Sequence, residues 1–206
     1  MKYSKMIGLA AIAVVAAMAF IGASSASATV LCKTNTLPCS SRYPSGTALK
    51  AELTGTNEAV LTSGFAVVKC KTSVMEGKTD TEGGETLLVH GFIEKVSWTN
   101  CSCNLGGTVT AKAESLPWLA ELHWNEKTMN GTLLVFKPRG SFVCAGTECS
   151  YTTETASATV LGGEPAVIDA EVKLKLAGGG FLCSGEATWK GTYTVSAPNP
   201  LWVAQS

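Results

Sequence analysis

Val172-Lys173-Leu174-Lys175-Leu176 is the stretch that decides the fold. Apolar side chains alternate with lysines, which is the period of a strand with one dry and one wet face; a helix would need apolar residues every three to four positions. The same reading extends outward in both directions. Phe65–Cys70 and Thr108–Lys112 are compatible with strands, and Leu87-Leu88-Val89 leads through Gly91 into Phe92–Trp98, with Gly91 the expected bulge or bend. Trp118–Trp124 and Thr132–Phe136 flank Asn130-Gly131, a dipeptide that predicts a tight type I′ hairpin turn there. Pro138-Arg139-Gly140 separates that strand from Ser141–Cys144. Further strands are expected at Ser150–Thr155, Ala158–Leu161, Ala166–Leu176, Ala187–Ser196 and Leu201–Ala204, with Gly-Gly pairs and the Gly178-Gly179-Gly180 run as loop punctuation. No stretch after residue 28 carries a helical stripe. About a dozen strands at this spacing predict an all-β fold, an antiparallel β-sandwich or barrel.

Composition narrows the setting. The 206 residues are 46% hydrophobic and 16% charged, which excludes a disordered chain. A formal net charge of zero lacks the electrostatic footprint of a nucleic-acid binder. Residues 1–28 read as a signal peptide. Lys2 and Lys5 precede an apolar run from Met6 to Ala23, and Ala26-Ser27-Ala28 supplies the small residues that signal peptidase requires. The run is rich in weakly hydrophobic Ala and Gly, and no basic stop-transfer cluster follows, so cleavage near Ala28 is favoured over a membrane anchor. Leu31 before Cys32 argues against lipid attachment. The expected location is therefore secreted or cell-surface after Sec-type export, with no transmembrane segment in the cleaved chain. Residues 29–46 read as a turn-rich N-terminal segment and residues 47–206 as a single β domain.

All eight cysteines (Cys32, Cys39, Cys70, Cys101, Cys103, Cys144, Cys149, Cys183) follow the signal, and in an exported chain they read as disulfide staples. Cys32–Cys39 suits a local loop bridge. Cys70 is expected to bridge to Cys101 or Cys103 across neighbouring strands, and Cys183 to reach Cys144 or Cys149. Metal binding is the weaker alternative: Cys101-Ser102-Cys103 is too tight for a zinc knuckle, and no C-x-x-C redox motif is present. A bond within the Cys101–Cys103 pair would be strained and redox-labile.

Catalytic material is sparse. His90 and His123 are the two imidazoles, and both read as strand residues with one face at the surface. There is no G-x-S-x-G elbow, H-E-x-x-H helix or EF-hand loop. Glu114, Glu121 and Glu126 lie near Trp118 and Trp124, a neighbourhood that a glycan-active enzyme would use; the simpler reading has the glutamates in water and the tryptophans in the core. No catalytic, cofactor or metal residue is assigned. Trp118, after Pro117, and Trp202, in Asn199-Pro200-Leu201-Trp202-Val203, are the aromatics adjacent to turns that would mark a binding surface if exposed.

Several tags occur together: Cys32…Cys39, Tyr43-Pro44-Ser45-Gly46-Thr47, Cys70, Cys101, Leu116-Pro117-Trp118, Cys149-Ser150-Tyr151, and Tyr193-Thr194-Val195…Pro200-Leu201-Trp202-Val203. In these the chain resembles a multi-copy group of exported, β-rich actinobacterial proteins of unknown function. A fainter likeness, through Cys70 and Leu116-Pro117-Trp118, is to secreted alkane-oxidation activator proteins; the extra cysteines here depart from that family's simpler pattern. The first resemblance implies export and a β-rich fold. The second implies association with hydrophobic substrates or surfaces, and neither carries an active site. The leading expectation is an exported non-enzymatic β-sandwich with a structural, adhesive or interaction role at the cell surface. The alternative is a β-barrel carrier of a small apolar ligand, and the partner classes left open are a cell-surface glycan, a protein or an apolar molecule.

Overall fold

The computed structural model describes residues 28–206, so the expected signal segment, apart from Ala28, lies outside the described residues. Eight antiparallel staves form the wall, each beside the next one in sequence. The first is β2 (Ala48–Leu53) continued by β3 (Ala59–Ser63), and the second is β4 (Ala66–Thr79). The third is β6 (Val89–Cys103), and the fourth is β7 (Thr110–Glu114) with β8 (Trp118–Asn125). The fifth is β9 (Asn130–Phe136) with β10 (Arg139–Cys144), and the sixth is β11 (Thr147–Thr152) with β12 (Thr155–Leu161). Strands β13 (Val167–Gly179) and β14 (Glu186–Ala197) complete the set. The ring closes where β14 pairs with β2 (Tyr193 opposite Leu53) and with β3 (Trp189 opposite Leu61). Of the two architectures open to the sequence, the barrel is the one formed.

Three adjacent staves break at one level. Ser115 and Lys137 take left-handed backbone conformations between β7 and β8 and between β9 and β10, and Lys137 N–H donates to Glu154 O at the break between β11 and β12. At the same level the third and fourth staves part. β6 pairs with β8 from Val89 to Ile93, but among the described residues no ladder joins residues 94–103 to β7. The Cys103–Cys144 disulfide spans this opening, tying the end of β6 to the end of β10.

One end of the barrel, the base, is closed by a three-stranded sheet. β1 (Thr29–Cys32) lies between β15 (Trp202–Gln205) and the short β5 (Gly83–Gly84). Every residue of β1 is buried, and Leu31, Leu201 and Val203 pack onto Val89, Leu122, Trp124 and Val195 of the wall. Residues 29–46 are thus not turns throughout: Thr29–Cys32 is a strand, formed because Val30 and Leu31 find an apolar floor and β15 supplies its ladder. The hairpin at Asn130-Gly131 is also displaced. Asn130 pairs with Asn125, and the turn is residues 126–129, with Met129 at positive φ and the Asn125 side chain accepting from the Lys127 and Thr128 N–H groups. Gly131 serves packing instead, since a Cβ there would come within 2.5 Å of Val203.

The other end, the tip, carries the loops 64–65, 104–109, 145–146 and 180–185. Three of the four disulfides gather toward it: Cys70–Cys101, Cys103–Cys144 and Cys149–Cys183. The fourth, Cys32–Cys39, is at the base. Cys101 and Cys103 share one face of β6 but are bonded to different partners and not to one another: Cys101 lies directly opposite Cys70 in the β4–β6 ladder, and Cys103, two residues further along, bonds Cys144 of β10.

Candidate functional site

The inner wall is built by the alternation that opened the sequence reading. Along β13 the residues Ile168, Ala170, Val172, Leu174 and Leu176 turn inward, while Asp169, Glu171, Lys173 and Lys175 turn to solvent. The inward set is only half-buried, because space remains in front of it. Two adjoining apolar cavities occupy the middle of the barrel, about 90 Å³ toward the base and about 120 Å³ toward the tip. Met75, Ile93, Leu133 and Ile168 border both. The lower cavity is floored by Leu122, Val195 and Leu201. The upper one is roofed by Trp98, Phe142 and Trp189, whose rings meet with centroids 5.4–5.9 Å apart.

One polar spot faces this interior. Tyr193, 2% exposed, lines the upper cavity and its hydroxyl lies 3.2 Å from the buried Ser73 hydroxyl. Burial raises the phenol's pKa above 10.0, opposed in part by Ser73 and by the neighbouring Trp189 and Trp98. The buried Trp98 indole N–H is close enough to the Tyr193 phenol to help lower its pKa, but among the described residues it meets no acceptor in good hydrogen-bond geometry. An apolar chamber with a few convergent polar groups is the usual form of a small-molecule pocket.

The residues considered for chemistry are distributed otherwise. Glu121 stands between the two histidines on the outer wall, its carboxylate oxygens 3.5 Å from His90 Nδ1 and 3.3 Å from His123 Nε2. The pairing follows from register, as His90 lies opposite Glu121 in the ladder and His123 is two residues along the same face. Glu114 is held by Arg139 Nε at 2.7 Å and accepts from the Ser150 hydroxyl, and Glu126 sits in the 126–129 turn. Glu114 and Glu121 thus have separate partners on different parts of the wall, and Glu126 lies apart from both in its turn, an arrangement unlike the facing carboxylates of a glycosidase.

Neither tryptophan offered as a surface aromatic stands out from the surface. Trp118 is 8% exposed, its indole N–H donating to Glu114 O at 2.8 Å, because the chain turn at Leu116-Pro117 sends it inward against Val135 and Ala120. Trp202 is half-buried against the Cys32–Cys39 cluster and fills the space that a side chain at Gly162 would take. The two most exposed large apolar side chains are Phe181, 96% exposed, and Phe65, 66% exposed, both in tip loops, while Leu87 and Met129 stand out in loops at the base. A short run without charge around each phenylalanine was its signal in the sequence.

The fold and chamber define a disulfide-stapled, eight-stranded up-and-down barrel. No family model, curated protein or solved structure matches the chain. Four disulfides fit a non-cytoplasmic protein. Among the described residues no helix is long and apolar enough to cross a membrane. The outer wall carries ion pairs such as Lys190–Glu171 and Lys78–Glu94.

Proposed function

We propose that this is an exported, non-enzymatic barrel that carries a small apolar molecule in its interior. The observation that supports this reading is the chamber itself: two adjoining cavities, lined almost wholly by carbon, between a strand-built floor and an aromatic roof. Protein interiors are ordinarily close-packed, and empty space of this size costs stability unless something fills it. An apolar cavity of about 150 Å³ stays dry and takes up benzene-sized molecules. The cavities here are of that order, so the reading calls for a compact apolar ligand or a slender one spanning both, with Met75 as the adaptable partition.

Native mass spectrometry without reductant, on protein recovered from the medium of its own host, tests the proposal. The expected result is a chain beginning at Thr29, eight hydrogens light, with a reproducible adduct lost on denaturation. A bare chain that also fails to take up benzene or short alkanes and alkanols would return the function to a structural or adhesive role at the cell surface.

A further inference from the structure

The tip loops share a property that no other end of the molecule has. Residues 64–65, 104–109, 145–146 and 180–185 contain no Asp, Glu, Lys, Arg or His. Their tips present Phe65, Leu105, Phe181 and Leu182, all exposed, with Phe181 almost wholly in solvent. These loops form one surface. Asn104 Nδ2 donates to Phe65 O at 2.9 Å, and Val67 N–H donates to Asn104 Oδ1 at 2.7 Å. Gly64 lies against Ser184, and the Tyr151 hydroxyl bonds both Ser63 and Ser184 O. Ala145 N–H donates to Gly106 O at 3.2 Å, and Cys149–Cys183 anchors the 180–185 loop to the wall. The first charges behind this rim, Glu148 and Glu186, are carried on the strands.

We infer that the tip is a lipid-docking surface, inserting Phe65, Phe181, Leu105 and Leu182 into the interfacial layer of an electrically neutral lipid assembly. Two features choose a lipid layer over a protein partner. The apolar groups come from three separate loops, which suits a deformable phase; a protein interface wants a continuous, complementary patch. Complete absence of charge across four loops is what entry into an apolar layer demands, because each ionised side chain carried in would be costly, and it gives no Lys or Arg with which to read anionic headgroups. The staples matter because a rim already rigid loses little conformational entropy on insertion. This inference stands independently of whether the chamber holds a ligand.

The test is sedimentation of the oxidised chain, after removal of residues 1–28, with phosphatidylcholine vesicles at low and high salt. The expected result is binding that is insensitive to salt and falls about tenfold for each of Phe181→Ser and Phe65→Ser, as loss of a buried Phe predicts. Both positions are exposed, so circular dichroism and thermal unfolding should match the parent chain. Absence of vesicle binding overturns the proposal. So does binding that needs anionic lipid and survives Phe181→Ser, or a tip-to-tip dimer seen by light scattering that Phe181→Ser dissolves.

Discussion

The two ends of the barrel are closed by opposite means. At the base the chain itself is the stopper: β1 and β15 lie across the opening, Leu31 and Val203 are buried in it, and the surrounding loops bear Asp80, Glu82, Glu85, Glu126, Lys127 and Glu164. At the tip no strand of the described residues crosses the opening. Trp98, Phe142 and Trp189 fill the bore from within, three disulfides hold the staves, and the loops are free of charge. The base relies on burial, which acts in the folded state. The tip relies on cross-links, which act mainly by restricting the unfolded chain, and so leaves its apolar side chains free for contact. An end that keeps Phe181 in water needs its stability from somewhere other than burying it.

That contrast gives measurable expectations, the largest first. Replacing Cys103 and Cys144 together by Ala removes a cross-link with a sequence separation of 41, for which chain entropy predicts a loss of about 4 kcal/mol in denaturant unfolding. The same change at Cys32 and Cys39, with a separation of 7, should cost about 2 kcal/mol. Equal losses would mean that the tip does not depend on its staples. Leu31→Ala, in the fully buried stopper, should cost about 3 kcal/mol and leave vesicle binding at the tip unchanged. Ala170→Leu fills the upper cavity and should alter stability by less than about 1 kcal/mol while abolishing any bound adduct; a loss of several kcal/mol would show that the chamber has no room.

The smallest effect is on pH dependence. Tyr193 has its pKa raised by burial, so above pH 10 the unfolded chain releases a proton that the folded chain still holds, and stability falls as pH rises. Tyr193→Phe should flatten the alkaline limb of the stability profile measured by urea unfolding. Below pH 10 both states keep the proton, and the variant should show only a pH-independent offset from the lost Ser73 contact.

How much of this was legible depended on the range of the interaction concerned. The wall strands were legible because a half-buried strand writes its period locally, as in Val172–Leu176. The Cys32–Cys39 bridge followed the same local logic, and the partner of Cys70 was narrowed to Cys101 or Cys103, of which the ladder selects Cys101. Closure of the ring was not legible, since the joint between β14 and β2 brings Val195 beside Ala51 and depends on the twist accumulated around the whole wall. Gly131 was misleading because two demands use the same residue: a turn wants its positive φ, whereas this position wants its missing Cβ for Val203. The contacts of Trp118 and the His90–Glu121–His123 cluster, as distinct from the core placement expected of the tryptophans, escaped for a related reason. Direction and register, which neither neighbour in sequence reveals, decide what each of them touches.

The stopper at the base has one more consequence. Thr29 lies opposite Gln205 in the ladder, and Ser206 N–H donates to Ala28 O at 3.2 Å, so both extremities of the described chain meet at one point. Every stave is already beside its successor in sequence, and the eighth is beside the first. Residues 28–206 therefore run almost a full circuit, with their two extremities side by side. Joining residues 28 and 206 by a short linker and opening the chain between Ala145 and Gly146 would yield a circular permutant with every ladder and disulfide intact.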